Sequence, residues 1–301
     1  LWVAERTLLF NKQLERCVGD QRSQSISPAR IAAQAFFIGL ARAFGGALIF
    51  SLPILMTMEM WSLGFSIDKF RLALLLLLSI PLLIGLSHYM GFEDTFGFKD
   101  DALDAFVALA VGFVAGAVTL SLFSVIGSDM SASEFIGKVS IQAVPGSIGA
   151  MFAQSELGGK EGKKEEKRRH AGYAGEIFIM AAGALFLAFN VAPTEEMILI
   201  AHQMSIWQSI ALILVSLLIM HAFVYALEFQ GTASLPPGTP FWSVFLRFTI
   251  VGYAVALLMS LYMLWTFGRT EGLAFYQAIS ILVVLGFPAA VGAAAARLIL
   301  S

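Results

Sequence analysis

The chain has 301 residues, of which 58% are hydrophobic and 13% are charged, and its mean hydropathy is +0.81. Soluble globular domains carry about 25% charged and about 45–50% apolar residues, so the composition excludes that class. The 19 basic and 21 acidic residues give a net charge of −2, which offers no positive field for binding nucleic acid. The single cysteine, Cys17, excludes an internal disulfide and a cysteine metal cluster. An integral membrane protein is the class that remains.

Eight runs are long and apolar enough to cross the hydrocarbon core as helices. They are residues 36–62, 70–90, 102–126, 135–155, 173–201, 205–228, 241–266 and 275–299. Lys138, Gln142 and the Pro145-Gly146 pair interrupt the fourth run, so a re-entrant or broken segment is an alternative to a span there. The sequence predicts an all-α integral membrane protein with about eight transmembrane helices.

Two polar segments divide the chain. Residues 1–32 mix five basic residues with apolar ones, which fits either an amphipathic helix on the membrane surface or a solvated tail. Residues 157–172 contain GGKEGKKEEKRRH, which predicts a solvated linker, with a contact to anionic lipid heads as the alternative. The expected units are this N-terminal segment, a first four-helix unit at 33–156, the linker, and a second four-helix unit at 173–301.

The distribution of positive charge predicts the orientation in the membrane. If the N-terminus is cytoplasmic, fifteen of the 19 lysines and arginines fall on the cytoplasmic side. The four on the other side are Lys69, Arg71, Lys138 and Arg269. Because cytoplasmic loops carry the excess of Lys and Arg, both termini and the charged linker are expected in the cytoplasm. An even number of spans agrees with this orientation.

The chain shows weak internal similarity. An offset of 137 residues aligns Gly46–Leu48 with Gly183–Leu185, and Thr57–Met60 with Thr194–Met197. A slightly larger offset aligns Pro145–Ala150 with Pro288–Ala293. The two T-x-E-M segments are the more specific match, because carboxylates are scarce in membrane segments. We therefore expect two parallel four-helix repeats about an axis along the membrane normal, with equivalent residues at equal depth.

The repeated segments contain the carboxylates that stand out in apolar surroundings, Glu59, Glu195 and Glu196. Proline precedes them in both runs, and a proline inside a helix frees a backbone carbonyl. Together with nearby hydroxyl and amide groups, the carboxylates form an all-oxygen set that suits a hard cation or a proton. The predicted ion-binding residues are Glu59, Glu195, Glu196, Thr57, Thr194 and Asn190.

Two structural explanations of the same carboxylates remain open. Glu59 lies two residues before Trp61, so it could simply be hydrated at the outer headgroup level. Glu195 and Glu196 follow Pro193-Thr194 and could occupy the first turn of a short outer helix, where acids complement the helix dipole.

Proline and glycine positions suggest either gating or close helix packing. This set comprises Pro53, Pro145, Gly146, Pro193 and Pro288. Small residues three or four apart permit close contact between membrane helices, which favours packing over a gate for the fourth and eighth runs.

The chain contains no motif of a known catalytic class, such as G-x-S-x-G, H-E-x-x-H or a P-loop. Four scattered histidines do not supply a metal cluster. Asp101 and Asp104 open the third run, where a helix start stabilises negative charge without any function. We therefore expect a protein that is not an enzyme and that has no cofactor and no bound metal centre.

Three stretches carry a resemblance to a known family. They are RAFGGALIFSLPILMTMEMW (42–61), QAVPGSIGA (142–150) and GALFLAFNVAPTEEM (183–197). With them, the chain resembles, over about residues 36–300, a family of bacterial integral membrane proteins of unknown function. The resemblance implies location in a bacterial membrane and implies no activity.

The leading hypothesis from the sequence is a cation channel or transporter of the bacterial inner membrane. Its partners would be the lipid bilayer and inorganic cations or protons, and a homo-oligomer about the repeat axis would surround one pore with four T-x-E-M segments. The alternative is a non-transporting scaffold or sensor that binds a partner through its cytoplasmic segments. Acids that converge on a hydrated cavity favour transport, whereas acids that point separately at the headgroups favour the alternative.

Overall fold

The computed structural model describes residues 28–90, 98–127, 129–157, 172–229, 242 and 245–300. The predicted amphipathic segment before residue 28 and the charged linker at 158–171 lie outside these residues. The described part contains ten α-helices and no strand. In chain order they are α1 Pro28–Leu55, α2 Met58–Ser66, α3 Lys69–Met90, α4 Phe98–Leu122, α5 Ala132–Leu157, α6 Gly172–Val191, α7 Glu195–Gln203, α8 Ile206–Phe229, α9 Val251–Thr266 and α10 Phe275–Leu300. A π-helical turn, Phe245–Ile250, leads directly into α9.

The all-α prediction is confirmed, and seven helices are long and apolar enough to span a membrane. In hydrocarbon every backbone N–H and C=O must find a partner within the protein, and a helix satisfies them along its own length. The seven segments are Phe36–Leu55, Lys69–Tyr89, Phe98–Leu122, Gly172–Val191, Ile206–Phe223, Phe245–Thr266 and Phe275–Leu298. They correspond to every predicted run except the fourth.

The fourth run forms α5, a continuous helix of 26 residues. Pro145 lies inside this helix without interrupting it, so the broken or re-entrant alternative is wrong as a description of the backbone. A helix of this length extends about 39 Å. Every residue from 139 to 154 is buried, including Gln142 and Gln154. Neighbouring helices therefore shield the polar side chains of α5 over this stretch, and this explains why α5 can carry more polar residues than the other long helices.

The first and fifth predicted runs extend too far at their C-terminal ends. Helix α1 ends at Leu55 and α6 ends at Val191, and a separate helix of nine residues follows each of them. At the second break, Pro193 cannot donate a backbone hydrogen bond and disfavours helical geometry at the residue before it. Hydropathy could not locate either break, because apolar residues continue through both.

The described chain divides between residues 41 and 42 into two compact units. Within the second unit, α5 packs against α2, α3 and α4, and α10 packs against α6, α7, α8 and α9. Helices α5 and α10 are thus the central helices of two groups. Phe50 of α1 and Phe186 of α6 join the groups, with their ring centroids 5.2 Å apart.

Close glycine contacts hold each central helix against its neighbour. A Cβ atom on Gly46 would collide with the carbonyl oxygen of Gly149, and a Cβ atom on Gly149 would come 2.7 Å from the carbonyl oxygen of Gly46. Gly183 of α6 and Gly292 of α10 exclude each other's Cβ atoms in the same way. These contacts agree with the packing interpretation of the small residues. Gly146 fits it too, because a Cβ atom there would lie 3.3 Å from the Cα atom of Gly112.

Substitution of Gly46 by alanine should destabilise the protein. The new methyl group has no free space against Gly149 and Ala153, so the two helices must separate. Overpacking of this kind costs about 1–3 kcal/mol. The measurement is thermal unfolding of the purified full chain in detergent, followed by the loss of helical circular dichroism.

Gly45→Ala is the matched control, because nothing lies within 4 Å of a Cβ atom at Gly45. This control should unfold at the wild-type temperature or above, since alanine is the better helix former. Equal unfolding temperatures for the two variants would contradict the packing role of Gly46.

Candidate functional site

The first helix break lies between α1 and α2, and several hydrogen bonds to one carbonyl oxygen stabilise it. The backbone N–H of Thr57 and its hydroxyl both donate to the carbonyl oxygen of Ile54, at 3.2 and 2.9 Å. The side-chain amide of Gln142, on α5, approaches the same oxygen at 3.5 Å. Trp61 donates its indole N–H to the carbonyl oxygen of Leu55 at 2.8 Å. Side chains from two other helices thus satisfy the carbonyls that the break exposes.

The second break lies between α6 and α7 and has the same local geometry. The backbone N–H and the hydroxyl of Thr194 donate to the carbonyl oxygen of Val191, at 3.0 and 2.8 Å. Arg269, from the loop after α9, donates from its guanidinium to the carbonyl oxygen of Pro193. A guanidinium therefore lies at the second break, where its positive charge complements the C-terminal end of α6.

The three glutamates lie in the first turns of the short helices. Glu59 is half-buried near the start of α2, and Glu195 and Glu196 are exposed at the start of α7. The prediction of one helix over residues 173–201 is wrong, because α6 ends at Val191 and Glu195 and Glu196 begin α7. Their position agrees with the alternative interpretation, in which acids in a first turn complement the helix dipole.

The structure brings Thr57 and Thr194 to the breaks but does not gather the glutamates into one cluster. Among the described residues, no group of three or more His, Cys, Asp or Glu side chains could hold a metal ion. No described side chain forms an ion pair with Glu59, Glu195 or Glu196.

Each break has a buried amide oxygen without a hydrogen-bond donor in the described part of the chain. At the first break this atom is Oε1 of Gln142, a residue that is only 1% exposed. At the second it is Oδ1 of Asn190, whose Nδ2 donates to the carbonyl oxygen of Phe186 at 2.8 Å. A buried acceptor left without a donor costs about 1–3 kcal/mol. Asn190 was predicted as a ligand, whereas Gln142 attracted notice only as an interruption of the fourth run.

The charged groups near the two breaks differ. Lys138 lies one turn before Gln142 on α5, and its Nζ atom is 2.7 Å from Oε1 of Glu134, so this pair adds no net charge. At the second break, Nε of Arg269 is buried without a hydrogen-bond acceptor among the described residues. The second break therefore carries a positive charge that the first lacks, and a cation would bind more favourably at the first break.

A second polar cluster joins α3 to α4. Asp101 is 4% exposed, and its carboxylate lies 3.1 Å from Nδ1 of His88 and 3.5 Å from the hydroxyl of Ser87. The Ser87 hydroxyl also donates to Asp104, at 3.1 Å. The sequence predicted only that Asp101 and Asp104 would open a helix, and their partners lie more than ten residues away along the chain. The cluster thus ties the end of α3 to the start of α4.

Substitution of Asp101 by alanine should destabilise the protein by about 0.5–1.5 kcal/mol, because His88 would lose its acceptor and Ser87 would keep only Asp104. Chemical denaturation of the purified protein measures the change. Asp100→Ala is the matched control, since Asp100 is the exposed neighbour with the same charge. If both variants lost a similar free energy of unfolding, the effect would come from the helix dipole and not from the cluster.

A third polar contact joins the start of α6 to the end of α10. A guanidinium nitrogen of Arg297 lies 3.3 Å from a carboxylate oxygen of Glu176. The guanidinium of Arg297 also lies 4.1 Å from the ring centroid of Phe248, and that of Arg247 lies 5.3 Å from the ring of Tyr173.

The described part of the chain contains ten helices, seven of them suited to spanning a membrane, and these define a multi-pass integral membrane protein. The chain belongs to the DUF2391 family, described as "Putative integral membrane protein", whose model matches residues 39–300. This membership confirms the resemblance found in the sequence. No curated protein and no solved structure matches the chain.

Proposed function

We propose that the protein carries inorganic cations or protons across the bacterial inner membrane, and that it is not an enzyme. The observation that carries this proposal is the pair of buried amide oxygens, Gln142 Oε1 and Asn190 Oδ1, at the two helix breaks. In low dielectric, a bare oxygen acceptor gains a partner when a cation or a water molecule binds there. Hard cations prefer oxygen ligands, and non-helical backbone at membrane depth is tolerated where it lines a cavity.

The first break is the stronger cation site of the two. It combines the Gln142 amide oxygen with the oxygen of the Thr57 hydroxyl, and Lys138, one turn away on α5, is neutralised by Glu134. At the second break the Arg269 guanidinium opposes a bound cation. In this proposal the second break corresponds to the first in structure but does not bind a cation, because the Arg269 guanidinium occupies it.

The glutamates act in the proposal as surface charges and not as ligands. Exposed carboxylates at the entrance raise the local concentration of cations without binding them tightly. Glu59, in the first turn after the first break, is half-buried and is the acid best placed for this role. Neutralising it should reduce flux at low cation concentration and at low ionic strength, where such attraction is least screened.

The proposal includes two repeats, each with four long helices and one short helix. Several paired features support an origin by duplication. Thr57 and Thr194 form the same two hydrogen bonds at an offset of 137, and the glycine contact of α1 with α5 has its counterpart in α6 with α10. After α4 and α9, left-handed backbone follows at Ser124 and Gly268, with φ values of 58° and 69°.

An even number of spans in each repeat would make the repeats parallel and would return both termini to the cytoplasm. This arrangement requires α5 to span as the eighth helix. The length of α5 and its enclosure by other helices support that role, and the bias of lysine and arginine supports the cytoplasmic termini.

One observation favours the second candidate, a non-transporting scaffold or sensor. Glu195 and Glu196 are exposed in a helical first turn and do not converge with Glu59 on a metal-binding group. A scaffold needs no carboxylate site and predicts no flux. Its partner would bind the cytoplasmic segments, so loss of those segments would abolish partner binding and leave the helices folded.

The experiment is flux of K⁺, Na⁺, Ca²⁺ and H⁺ into proteoliposomes that contain the full chain. Gln142→Leu removes the amide oxygen at the first break while keeping a side chain of similar volume, so it should abolish most of the flux. Gln154→Leu is the matched control, because Gln154 is another buried glutamine of α5. The double variant Glu59→Gln/Glu196→Gln should retain flux at high cation concentration and lose it at low concentration.

Flux that survives in Gln142→Leu, or falls equally in Gln154→Leu, would contradict the site at the first break. The transport proposal would be contradicted, and the scaffold favoured, if flux did not exceed that of empty liposomes at several voltages and pH values. Every variant must reconstitute to the same level and unfold at the same temperature as the wild type. Removing a buried glutamine leaves its hydrogen-bond partner unsatisfied, and this can lower stability as well as flux.

A further inference from the structure

We propose that the start of α6, the π-helical turn and the end of α10 form a binding site for the phosphodiester headgroup of an anionic phospholipid. The site is the arginine–aromatic cluster, which comprises Tyr173, Arg247, Phe248 and Arg297. It is independent of the two helix breaks.

The cluster holds two guanidinium groups on two aromatic rings. The rings of Tyr173 and Phe248 meet edge to face, with centroids 5.8 Å apart. Arg247 lies over the first ring and Arg297 over the second, at 5.3 and 4.1 Å from the centroids. Stacking on a ring orders the guanidinium plane, and guanidinium N–H groups match the oxygens of a phosphate.

The charge of the cluster is not fully compensated. Arg297 pairs with Glu176, whereas no carboxylate lies within 4 Å of the Arg247 side chain among the described residues. The positive charge of Arg247 is therefore not compensated by a described carboxylate, and Arg247 is exposed. An anionic headgroup would neutralise it, and basic pockets between transmembrane helices on the cytoplasmic side bind such headgroups.

The local backbone also favours a binding role. Arg247 lies in the π-helical turn, and π-turns are uncommon structures that occur frequently at functional sites. Tyr173 donates its hydroxyl to the backbone carbonyl of Arg247 at 2.8 Å, so α6 holds the turn in place. Nearby Trp242 is 69% exposed, as expected of an aromatic side chain at the headgroup level. The positive charge bias predicts that this level is the cytoplasmic one.

The test is native mass spectrometry of the purified full chain with added phosphatidylglycerol or phosphatidylcholine. The wild type should retain phosphatidylglycerol in preference to phosphatidylcholine. Arg247→Gln should lower that preference about five-fold, which is the effect of one basic side chain near an anionic headgroup. Tyr173→Leu removes the platform under Arg247 and should produce a similar loss while keeping the charge.

Lys69→Gln is the matched control, because it removes one exposed positive charge at the start of α3, outside the cluster. It should leave the preference unchanged. Inorganic phosphate, added in excess, should not displace the lipid if the acyl chains contribute to binding. Unchanged preference in Arg247→Gln, an equal loss in Lys69→Gln, or displacement by inorganic phosphate would overturn the proposal.

Discussion

The structure depends on the requirement that backbone polar groups in hydrocarbon find partners within the protein. Unbroken helices meet this requirement along their own length, but α1 and α6 both end inside apolar stretches. At each break the carbonyl three residues earlier accepts two hydrogen bonds from a threonine, at Ile54 and at Val191. The remaining carbonyls need donors from other parts of the chain, which Trp61 of α2 and Arg269 of the loop after α9 supply. This need explains why polar side chains occur at the breaks at all.

The same requirement determines which helices can be polar. Helix α5 carries buried serines and glutamines and is surrounded by its neighbours, while the lipid-facing surfaces belong to the more apolar helices. Close approach at Gly46, Gly149 and Gly112 makes that enclosure feasible, since larger residues would hold α1 and α4 away from α5. The proposed cation site therefore has its physical basis in this polar central helix, which places an amide oxygen without a hydrogen-bond donor among the described residues at a helix break.

The sequence predicted the class of protein and most of the helices well, because hydropathy acts locally. Its prolines were poorer guides to the breaks, because only Pro193 lies at one, while Pro53, Pro145 and Pro288 lie inside helices. It placed the ends of α1 and α6 too late, since apolar residues continue past Leu55 and Val191 and conceal the breaks. It also placed Glu195 and Glu196 within one long helix, because it could not separate α6 from the short helix that follows. Contacts between distant residues, such as Gln142 with Ile54 or Arg269 with Pro193, arise from tertiary packing and leave no local signal.

The central claim is that the first helix break is a hydrated or cation-occupied site. It is tested most directly by an experimental density map of the full chain in lipid nanodiscs, at a resolution that shows ordered water. The account predicts a water molecule or a cation within contact distance of Oε1 of Gln142, and its absence in Gln142→Leu. A dry site, in which a protein donor satisfies the Gln142 amide oxygen, would contradict the account.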